Sequence, residues 1–420
     1  MADKQVRVGV IGVGGMGQGH CTAIRDKVPA MKLMAVCDAQ ADRVKEVAEK
    51  FGVQGFTDVN AMLDSGLVDA VVIATPHPIH EQPALAAMKK GIHVICEKPL
   101  TERISTAQKM VETAKKCKVA FAVMFQRRFE PAVAKALEII RSGRVGRIYR
   151  ATMISPEYRS QAYYNSGTWR ATWKGEGGGV MMNQSPHIMD IFVHLTGMPV
   201  CVRGRIETSP IHTIEVEDRA EATLEYADGG TGYFYCSTTE PGPGQMIEIF
   251  GDKGKLLFRN GTLQFFEYEQ PISVFTRENK EMWGSVKQTE VDLKLEQFDT
   301  GHFLAHRNFA DHILNGTPLH VSGESALPSL ELANAITLSS LMGEPVKLPL
   351  KRAAYDALLN DLQTNPKYRK GIRPGMAASS GKKSASAKKP AKESVQKSAP
   401  KPAKKATAKK PAPKASTGRK

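Results

Sequence analysis

The sequence has few cysteines and no long apolar run. Its 420 residues include six cysteines, which show neither the CxxC spacing of a zinc site nor the density of a disulfide-rich domain. We therefore expect free thiols, no metal site and the reducing environment of the cytoplasm. No stretch approaches the roughly 20 apolar residues that a membrane-spanning helix needs. The first residues, MADKQVRVGVIG, also lack the charged-then-apolar order of a secretory signal, so no membrane contact is expected.

Acidic residues are almost missing from the C-terminal segment. Residues 371–420 contain 13 Lys, 2 Arg and one Glu and carry +14 of the net charge of +15. From residue 376 the segment is rich in Lys, Ala, Pro and Ser without aromatic residues, so we expect it to be disordered. Such a tail can bind polyanions, including nucleic acid, without reading their sequence. It can equally be a solvated appendage without a partner. The rest of the chain is nearly neutral and long enough for two domains.

A glycine-rich turn follows the first apolar run. Residues 6–11 read VRVGVI and are followed by GVGGMG, which fits GxGxxG between a strand and a helix. A second run, KLMAVC, ends directly before Asp38. Such glycines let the backbone approach a pyrophosphate at a helix N-terminus, and the carboxylate binds ribose hydroxyls. Asp38 would repel a 2′-phosphate, so NAD is predicted rather than NADP, although Arg43 lies close in sequence and is also a candidate cofactor ligand. The predicted pyrophosphate site comprises Gly12, Gly14, Gly15, Met16 and Gly17.

Apolar runs and helical patterns then alternate. Runs at 68–76, 91–100 and 119–126 are separated by helical patterns through Met88 and near 104–117. This alternation predicts a doubly wound parallel sheet, a Rossmann domain over residues 1–126. Ligands bind such sheets at the carboxyl ends of the strands. The residues expected there are Thr75, Pro76, His77, His80, Glu97, Lys98 and Gln126, all predicted to contact the cofactor, together with Arg127 and Arg128.

Lys98 is the candidate base at this edge. Oxidising an alcohol removes the hydroxyl proton as hydride leaves carbon, and a lysine can accept that proton if burial and the positive nicotinamide ring lower its pKa from about 10.4. The alternative is a surface lysine beside a turn-forming proline.

The pattern changes after residue 126. A helix over 130–140 is followed by longer strands in which polar residues alternate, with hairpin turns at Asp-Gly-Gly (228–230), 252–254 and Asn-Gly (260–261). These features predict an α+β domain over 127–370 with a large, mostly antiparallel open sheet. One face should pack on helices, and the other is available for self-association.

Four motifs carry a family resemblance: GxGxxG, ATPxxxH (74–80), EKP (97–99) and GGG with a following helix (177–187). Through these motifs the chain resembles the Gfo/Idh/MocA oxidoreductase family over about residues 5–350. The resemblance implies that Lys98 is the catalytic lysine, often before a cis-proline, that Glu97 contributes to the cofactor site, and that His80 lies against the cofactor. It also implies homodimers or homotetramers. The family pattern has Asp and His four residues apart after GGG.

Here the two positions are Asn183 and His187, both candidate catalytic and substrate-binding residues. Asn183 cannot act as a base, but its amide can fix substrate hydroxyls or a histidine tautomer. Either the helix begins near Asn183, or Ser185 caps it and Asn183 lies just outside. In both cases the glycines are expected to bring backbone close to substrate and cofactor. Asp190 and His302 are interpreted as structural.

The loop before GGG, RSQAYYNSGTWRATWKGE, is rich in aromatic and basic side chains. Aromatic faces stack on a sugar or cyclitol ring, and polar neighbours bind its hydroxyls. The candidate substrate ligands are Tyr163, Tyr164, Trp169 and Arg170, joined by Lys98, Arg127 and Arg128.

The sequence thus predicts an NAD-dependent dehydrogenase for a secondary hydroxyl of a sugar, glycoside or cyclitol. Two alternatives are an NAD-bound metabolite sensor whose tail holds nucleic acid, and an enzyme that cleaves a glycosidic bond through transient oxidation by held NAD.

Overall fold

The computed structural model describes residues 4–295 and 299–368. The basic tail predicted from residue 376 lies outside the described residues. No helix in the described part combines the length and apolar character needed to cross a membrane.

The first sheet is parallel, and apolar runs account for its strands. Every residue of β4 and β6 is buried, because helices pack on both faces. Its six strands have the order β3-β2-β1-β4-β5-β6 among the described residues. The strands are β1 (Val6–Ile11), β2 (Met31–Cys37), β3 (Gln54–Phe56), β4 (Ala70–Ile73), β5 (His93–Cys96) and β6 (Phe121–Val123). The helices are α1 (Gly15–Lys27), α2 (Ala41–Phe51), α3 (Val59–Asp64), α4 (Glu81–Lys89) and α5 (Ile104–Cys117).

This strand order confirms the predicted Rossmann fold. The order reverses between β1 and β4, and the crevice outside the carboxyl ends of such strands is where dinucleotides bind. The turns after β1, β2, β4 and β5 therefore bring the glycine turn, Asp38, Thr75 and Lys98 to one edge.

The second sheet is mixed and mostly antiparallel, as predicted. Within the described ranges its order is β14-β13-β12-β11-β7-β10-β9-β8-β15, and only β7 and β10 pair in parallel. The strands are β7 (Ile148–Pro156), β8 (Cys201–Glu207), β9 (Arg219–Glu225), β10 (Thr231–Ser237), β11 (Met246–Gly251), β12 (Gly254–Arg259), β13 (Thr262–Tyr268), β14 (Gln288–Glu290) and β15 (Val346–Lys347). The helices are α6 (Pro131–Arg141), α7 (Gln161–Tyr164), α8 (Trp173–Glu176), α9 (Val180–Asn183), α10 (Pro186–Thr196), α11 (Ile272–Glu278), α12 (His302–Asn315), α13 (Leu327–Met342) and α14 (Arg352–Thr364).

The predicted hairpins form at the expected turns. Residues 228–230 join β9 to β10, and 252–253 join β11 to β12. Asn260 and Gly261 join β12 to β13 with φ angles of 48° and 82°, the left-handed pair that a two-residue hairpin turn requires.

Alternation along the strands separates the two faces of this sheet. In β9, Ala220, Ala222 and Leu224 are buried while Thr223 and Glu225 are exposed. Helices α10 and α13 pack on the second sheet, and the apolar side chains of the strands join them in one core.

Helix α12 completes the first core although it lies between β14 and β15 of the second sheet in the chain. Its buried residues Phe303, Ala305 and Phe309 join the core formed by β1 and α1. The helix begins at His302, and it places His306 in contact with His20 of α1.

Candidate active site

The GxGxxG residues form the turn from β1 into α1. A Cβ atom at Gly17 would lie 1.9 Å from the main-chain oxygen of Gly12, so glycine is needed for the helix to approach the strand this closely. At Gly14 and Gly15 a Cβ would meet only open space, and Met16 is half exposed. The N-terminus of α1 therefore faces an open cradle, where its N–H groups and dipole suit a pyrophosphate.

Asp38 follows β2 and lies against this turn. Its Oδ2 accepts a hydrogen bond from the main-chain N–H of Val13 at 3.0 Å, and its Oδ1 accepts one from Gln40 N–H at 3.0 Å. Arg43 Nη1 lies 3.2 Å from both carboxylate oxygens. The charge of Arg43 is thus compensated by Asp38, and the carboxylate is held beside the cradle, where an adenosine ribose would present its hydroxyls.

Two unpartnered polar atoms line the same sheet edge. Thr75 Oγ1 after β4 and Gln126 Oε1 after β6 are buried and lack a hydrogen-bond partner among the described residues. Since buried polar groups are normally satisfied, these atoms are suited to polar groups of a ligand. Together with the open cradle and Asp38, they fit a dinucleotide.

The loop after β4 is held by histidines. His80 is completely buried, with Nε2 at 2.7 Å from Thr75 O and Nδ1 at 3.0 Å from Pro99 O. Both ring nitrogens lie within hydrogen-bond distance of main-chain oxygens, so His80 joins this loop to the EKP loop, and its expected contact with the cofactor stays a prediction. His77 Nδ1 lies 3.2 Å from Glu176 O, and its ring packs edge-on against Trp169. Pro76 precedes a short 3₁₀ turn over 77–79.

Lys98 follows β5 and reaches α9. Its Nζ donates a hydrogen bond to the main-chain oxygen of Asn183 at 3.0 Å, and the Lys98–Pro99 peptide bond is cis. Burial lowers the pKa of Lys98, and the charge of Arg170 lowers it further, while Glu97, Glu157 and Glu176 oppose this shift. Lys98 therefore loses its proton more easily than an exposed lysine does, as a general base requires.

Glu97 is buried and anchors the loop that carries Lys98. Its Oε2 accepts from Lys98 N–H at 3.1 Å, and its Oε1 lies 2.8 Å from His20 Nε2. Burial opposes ionisation, but the hydrogen bond and charge of His20, together with Lys98, outweigh it and hold the pKa of Glu97 at about 2.

The triple glycine joins α8 to α9. A Cβ at Gly179 would lie 1.8 Å from the main-chain oxygen of Glu217, and a Cβ at Gly177 would lie 2.1 Å from Cβ of Glu102. The close approaches that require glycine in this structure are therefore to the protein itself, and the expected approach of these glycines to substrate and cofactor stays a prediction. Asn183 ends α9, and α10 begins at Pro186 with Ser185 before it, which is the second of the two predicted arrangements.

Asn183 is held by a chain of polar groups. Its Oδ1 accepts from Tyr163 OH at 3.1 Å, and its Nδ2 donates to Glu176 Oε1. Tyr163 OH in turn accepts from Arg170 Nη1 at 2.8 Å and from Gln184 Nε2 at 3.0 Å.

His187 lies in the first turn of α10 and packs edge-on against Phe125. Its Nδ1 is buried without a hydrogen-bond partner in the described part of the chain. Burial, followed by the charge of Lys98, lowers the pKa of His187 well below its usual value. The ring is neutral and near Lys98, so it can exchange a hydrogen bond with a substrate hydroxyl.

Arg170 contacts two other predicted substrate ligands, Tyr163 and Trp169. The Arg170 guanidinium lies 4.6 Å from the ring centre of Tyr163 and 4.5 Å from that of Trp169. Arg127, after β6, pairs with Glu130 at 2.7 Å and with Gln245. This combination of partly buried aromatic rings and polar groups suits a polyhydroxylated ring.

Two family models together match more than half of the chain. Residues 6–125 match the model described as "Oxidoreductase family, NAD-binding Rossmann fold", and residues 133–257 match that of the "GFO/IDH/MocA C-terminal domain". Inositol 2-dehydrogenase from Rubrobacter xylanophilus is 38% identical over 256 residues, which are 60% of this chain and 70% of the relative. The chain belongs to the Gfo/Idh/MocA oxidoreductase family.

Other members extend the similarity over most of the chain. The scyllo-inositol 2-dehydrogenase (NAD(+)) of Bacillus subtilis is 29% identical over 357 residues, covering 84% of this chain and 98% of the relative. The WlbA dehydrogenase from Bordetella pertussis, solved with NADH and UDP-GlcNAcA, superposes with a TM-score of 0.71 at 27% identity, covering 83% of this chain and all of that one. Levoglucosan dehydrogenase solved with NADH has a TM-score of 0.71 at 22% identity over 83% of this chain and 100% of that one, which shows the shared fold.

Two predicted substrate ligands of this Gfo/Idh/MocA protein are structural instead. Tyr164 is buried, and its hydroxyl bonds to Thr238 Oγ1 at 2.6 Å. Arg128 is buried in a bidentate pair with Asp190, at 2.7 and 2.6 Å, and also binds Ser325. Neither side chain is free to contact a substrate, because each is buried and hydrogen-bonded inside the core. Asp190 is structural, as predicted.

Two carboxylates that sequence reasoning missed lie near Lys98. Glu157 follows β7 and Glu176 ends α8, and both oppose the lowering of the Lys98 pKa. The only sequence signal for Glu176 is its place directly before the triple glycine. His20, beside Glu97, was also missed, although it follows Gly17 by one helical turn.

Proposed function

We propose that this protein is an NAD-dependent dehydrogenase that oxidises a secondary hydroxyl on the ring of an uncharged cyclitol or sugar. The observation that carries the proposal is the position of Lys98. Its Nζ donates to the main-chain carbonyl of Asn183 and its charge acts on His187, at the same sheet edge as the glycine cradle and Asp38.

NAD, when bound, supplies the nicotinamide ring that accepts the hydride. The open N-terminus of α1 would hold its pyrophosphate, and Asp38 with Arg43 its adenosine ribose. The cofactor is further supported by the relatives, since the scyllo-inositol 2-dehydrogenase is named for NAD(+) and the WlbA structure holds NADH.

Lys98 in its neutral form would accept the hydroxyl proton at Nζ. The main-chain carbonyl of Asn183 orients the Lys98 amine, since the amine can donate one hydrogen to it and still keep its lone pair for the substrate. His187 is neutral and would hold the same hydroxyl in position. Tyr163 and Trp169 would pack against the ring.

The pairing of the arginines supports an uncharged substrate. Arg127 pairs with Glu130, Arg159 with Glu157, and Arg170 lies 3.8 Å from Glu176. A carboxylate or phosphate on the substrate would have to displace one of these partners. A neutral polyol, as in the inositol dehydrogenases, requires no such exchange.

The test is nicotinamide reduction followed by absorbance across inositols, free hexoses, glucosides and anhydrosugars, with a uronic acid as the charged comparison. We expect reduction by at least one neutral ring polyol and none by the uronate. Bound NAD without reduction by any compound would contradict the proposal and favour the sensor. Preferential reduction by the uronate would contradict the substrate class.

We also infer that the outer face of the second sheet mediates self-association. Tyr233 is exposed there beside Arg205 and Glu221, so a second copy could add both packing and ion pairs. Sedimentation equilibrium would show a dimer or tetramer, and replacing Tyr233 with Glu should shift it toward monomer.

A further inference from the structure

A buried carboxylate lies directly behind Asn183. Glu176 is 2% exposed, and each of its oxygens has a defined donor. Oε1 accepts from Asn183 Nδ2, and Oε2 accepts from the main-chain N–H of Ala171 at 2.6 Å. Arg170 Nη1 lies 3.8 Å from Oε1. Glu176 is therefore part of the group of residues around Lys98, although it has no route to the substrate except through Asn183 and Arg170.

The hydrogen bonds around Asn183 can run in only one direction. Burial raises the pKa of Glu176, while the hydrogen bonds from Ala171 and Asn183 and the charges of Arg170 and Lys98 oppose this shift. In its ionised form the carboxylate accepts hydrogen bonds but cannot donate them, so the side of the Asn183 amide that faces it is the NH₂ group. Tyr163 OH accepts from Arg170 and Gln184, and its own proton therefore goes to Asn183 Oδ1. The chain starts at a guanidinium and ends at a carboxylate, which fixes the orientation of the amide.

We propose that Glu176 is a positioning residue for the oxidation, carrying at position 176 the negative charge that the family pattern places at position 183. Its carboxylate holds Asn183 in one orientation and provides a counter-charge near Lys98. The inference rests on the proposed function, because it concerns how that reaction is arranged.

If Glu176 and Asn183 act as a pair, the reaction should tolerate an exchange of their side-chain groups, with an amide at position 176 and a carboxylate at position 183. In E176Q the charge is lost, and the amide at 176 no longer specifies which end of Asn183 faces it. In N183D two carboxylates face each other across a hydrogen bond, and like charges at this distance cannot both be ionised without a large cost. In the double variant E176Q/N183D, the new amide donates to the new carboxylate while Tyr163 donates to the other oxygen, so charge and hydrogen bonds are both restored.

The experiment is a double-mutant cycle on kcat/KM for oxidation of myo-inositol with NAD, using full-length protein. Because contacting residues in one hydrogen-bond network couple strongly, we expect each single variant to lose about tenfold or more. The double variant should recover to within about threefold of wild type. E217Q is the matched control: Glu217 is also buried, and it bonds Met181 N–H at 3.2 Å beside the same loop. It should stay within about twofold of wild type.

Several outcomes would overturn the inference. One is a double variant whose loss equals the product of the two single losses, and another is single variants that match wild type. If E176Q fails to fold but the double variant folds, binds NAD and remains inactive, Glu176 serves stability alone. Oxidation by the wild-type protein separately tests the proposed function, so active single variants would contradict the role of Glu176 and leave that function intact.

Discussion

The Nζ atom of Lys98 lies 3.0 Å from the main-chain oxygen of Asn183. This bond links the end of β5 in the parallel sheet to the end of α9, which packs beside the second sheet. Because the acceptor is a main-chain atom, side-chain changes at position 183 leave it in place. The lysine is thus oriented by the path of the chain through the triple glycine, while burial lowers the pKa of its amine and the neighbouring carboxylates oppose that shift.

Replacing Lys98 with methionine removes the proposed base but keeps a similar volume. We expect kcat to fall by about 10²- to 10⁴-fold, the usual contribution of a general base. NAD binding, followed by quenching of tryptophan fluorescence, should be unchanged, because Lys98 is not part of the glycine cradle. Turnover equal to wild type would rule out Lys98 as the base.

The pH profile distinguishes Lys98 from His187. Burial lowers the pKa of Lys98, and neutral lysine accumulates as pH rises, so kcat/KM for oxidation should increase with pH and level off below the ordinary value of about 10.4. Burial also keeps His187 neutral above its lowered pKa, so no step is expected near pH 6.5. A step there that disappears in H187N would show that His187 titrates during the reaction.

We expect Asp38 to set the preference for NAD over NADP. Changing Asp38 to alanine removes the carboxylate that repels a 2′-phosphate and frees Arg43 from its partner. We expect the NAD/NADP ratio of kcat/KM to fall by about tenfold, the scale of a hydrogen bond to a charged group. Steady-state kinetics with both cofactors measures the ratio. E46A, a nearby exposed residue of α2, is the control and should leave it unchanged.

The parts of the fold that the sequence predicts are those with a strong local pattern. The helix expected near 104–117 is observed as Ile104–Cys117, because its apolar residues recur with the helical period. Short elements lack this signal: β3 has three residues, and α11 has no buried side chain. The packing of α12 on α1 depends on contacts such as His20 with His306, 286 residues apart, which no local pattern reveals.

The site was predictable where a motif fixes a position in the chain. Lys98 and Asp38 follow strands, so their place at the sheet edge follows from the topology. The roles of neighbouring residues within a turn are harder to predict from sequence. Arg127 pairs with Glu130 and Gln245, whereas the adjacent Arg128 points into the core and pairs with Asp190. Glu176 was missed because its contact with Asn183 depends on how residues 177–179 turn.

The basic tail stays a separate prediction, since it lies outside the described residues. We expect removal of residues 376–420 to leave the steady-state kinetics unchanged, because no residue of the site lies there. It should abolish retention of the protein on DNA, which we expect to weaken steeply with salt. Gel-shift titrations at two salt concentrations test this. Retention that survives the truncation would place the nucleic-acid contact on the folded part.

The Arg128–Asp190 pair is a stability element rather than a substrate site, and the two roles predict different results. Both side chains are almost fully buried, so R128M leaves an unpaired carboxylate in the core and should lower the free energy of unfolding by about 3–5 kcal/mol. Urea denaturation measures this. R7M breaks the exposed pair with Asp69 and should cost about 0–1 kcal/mol. If Arg128 bound substrate instead, R128M would raise KM while unfolding matched wild type.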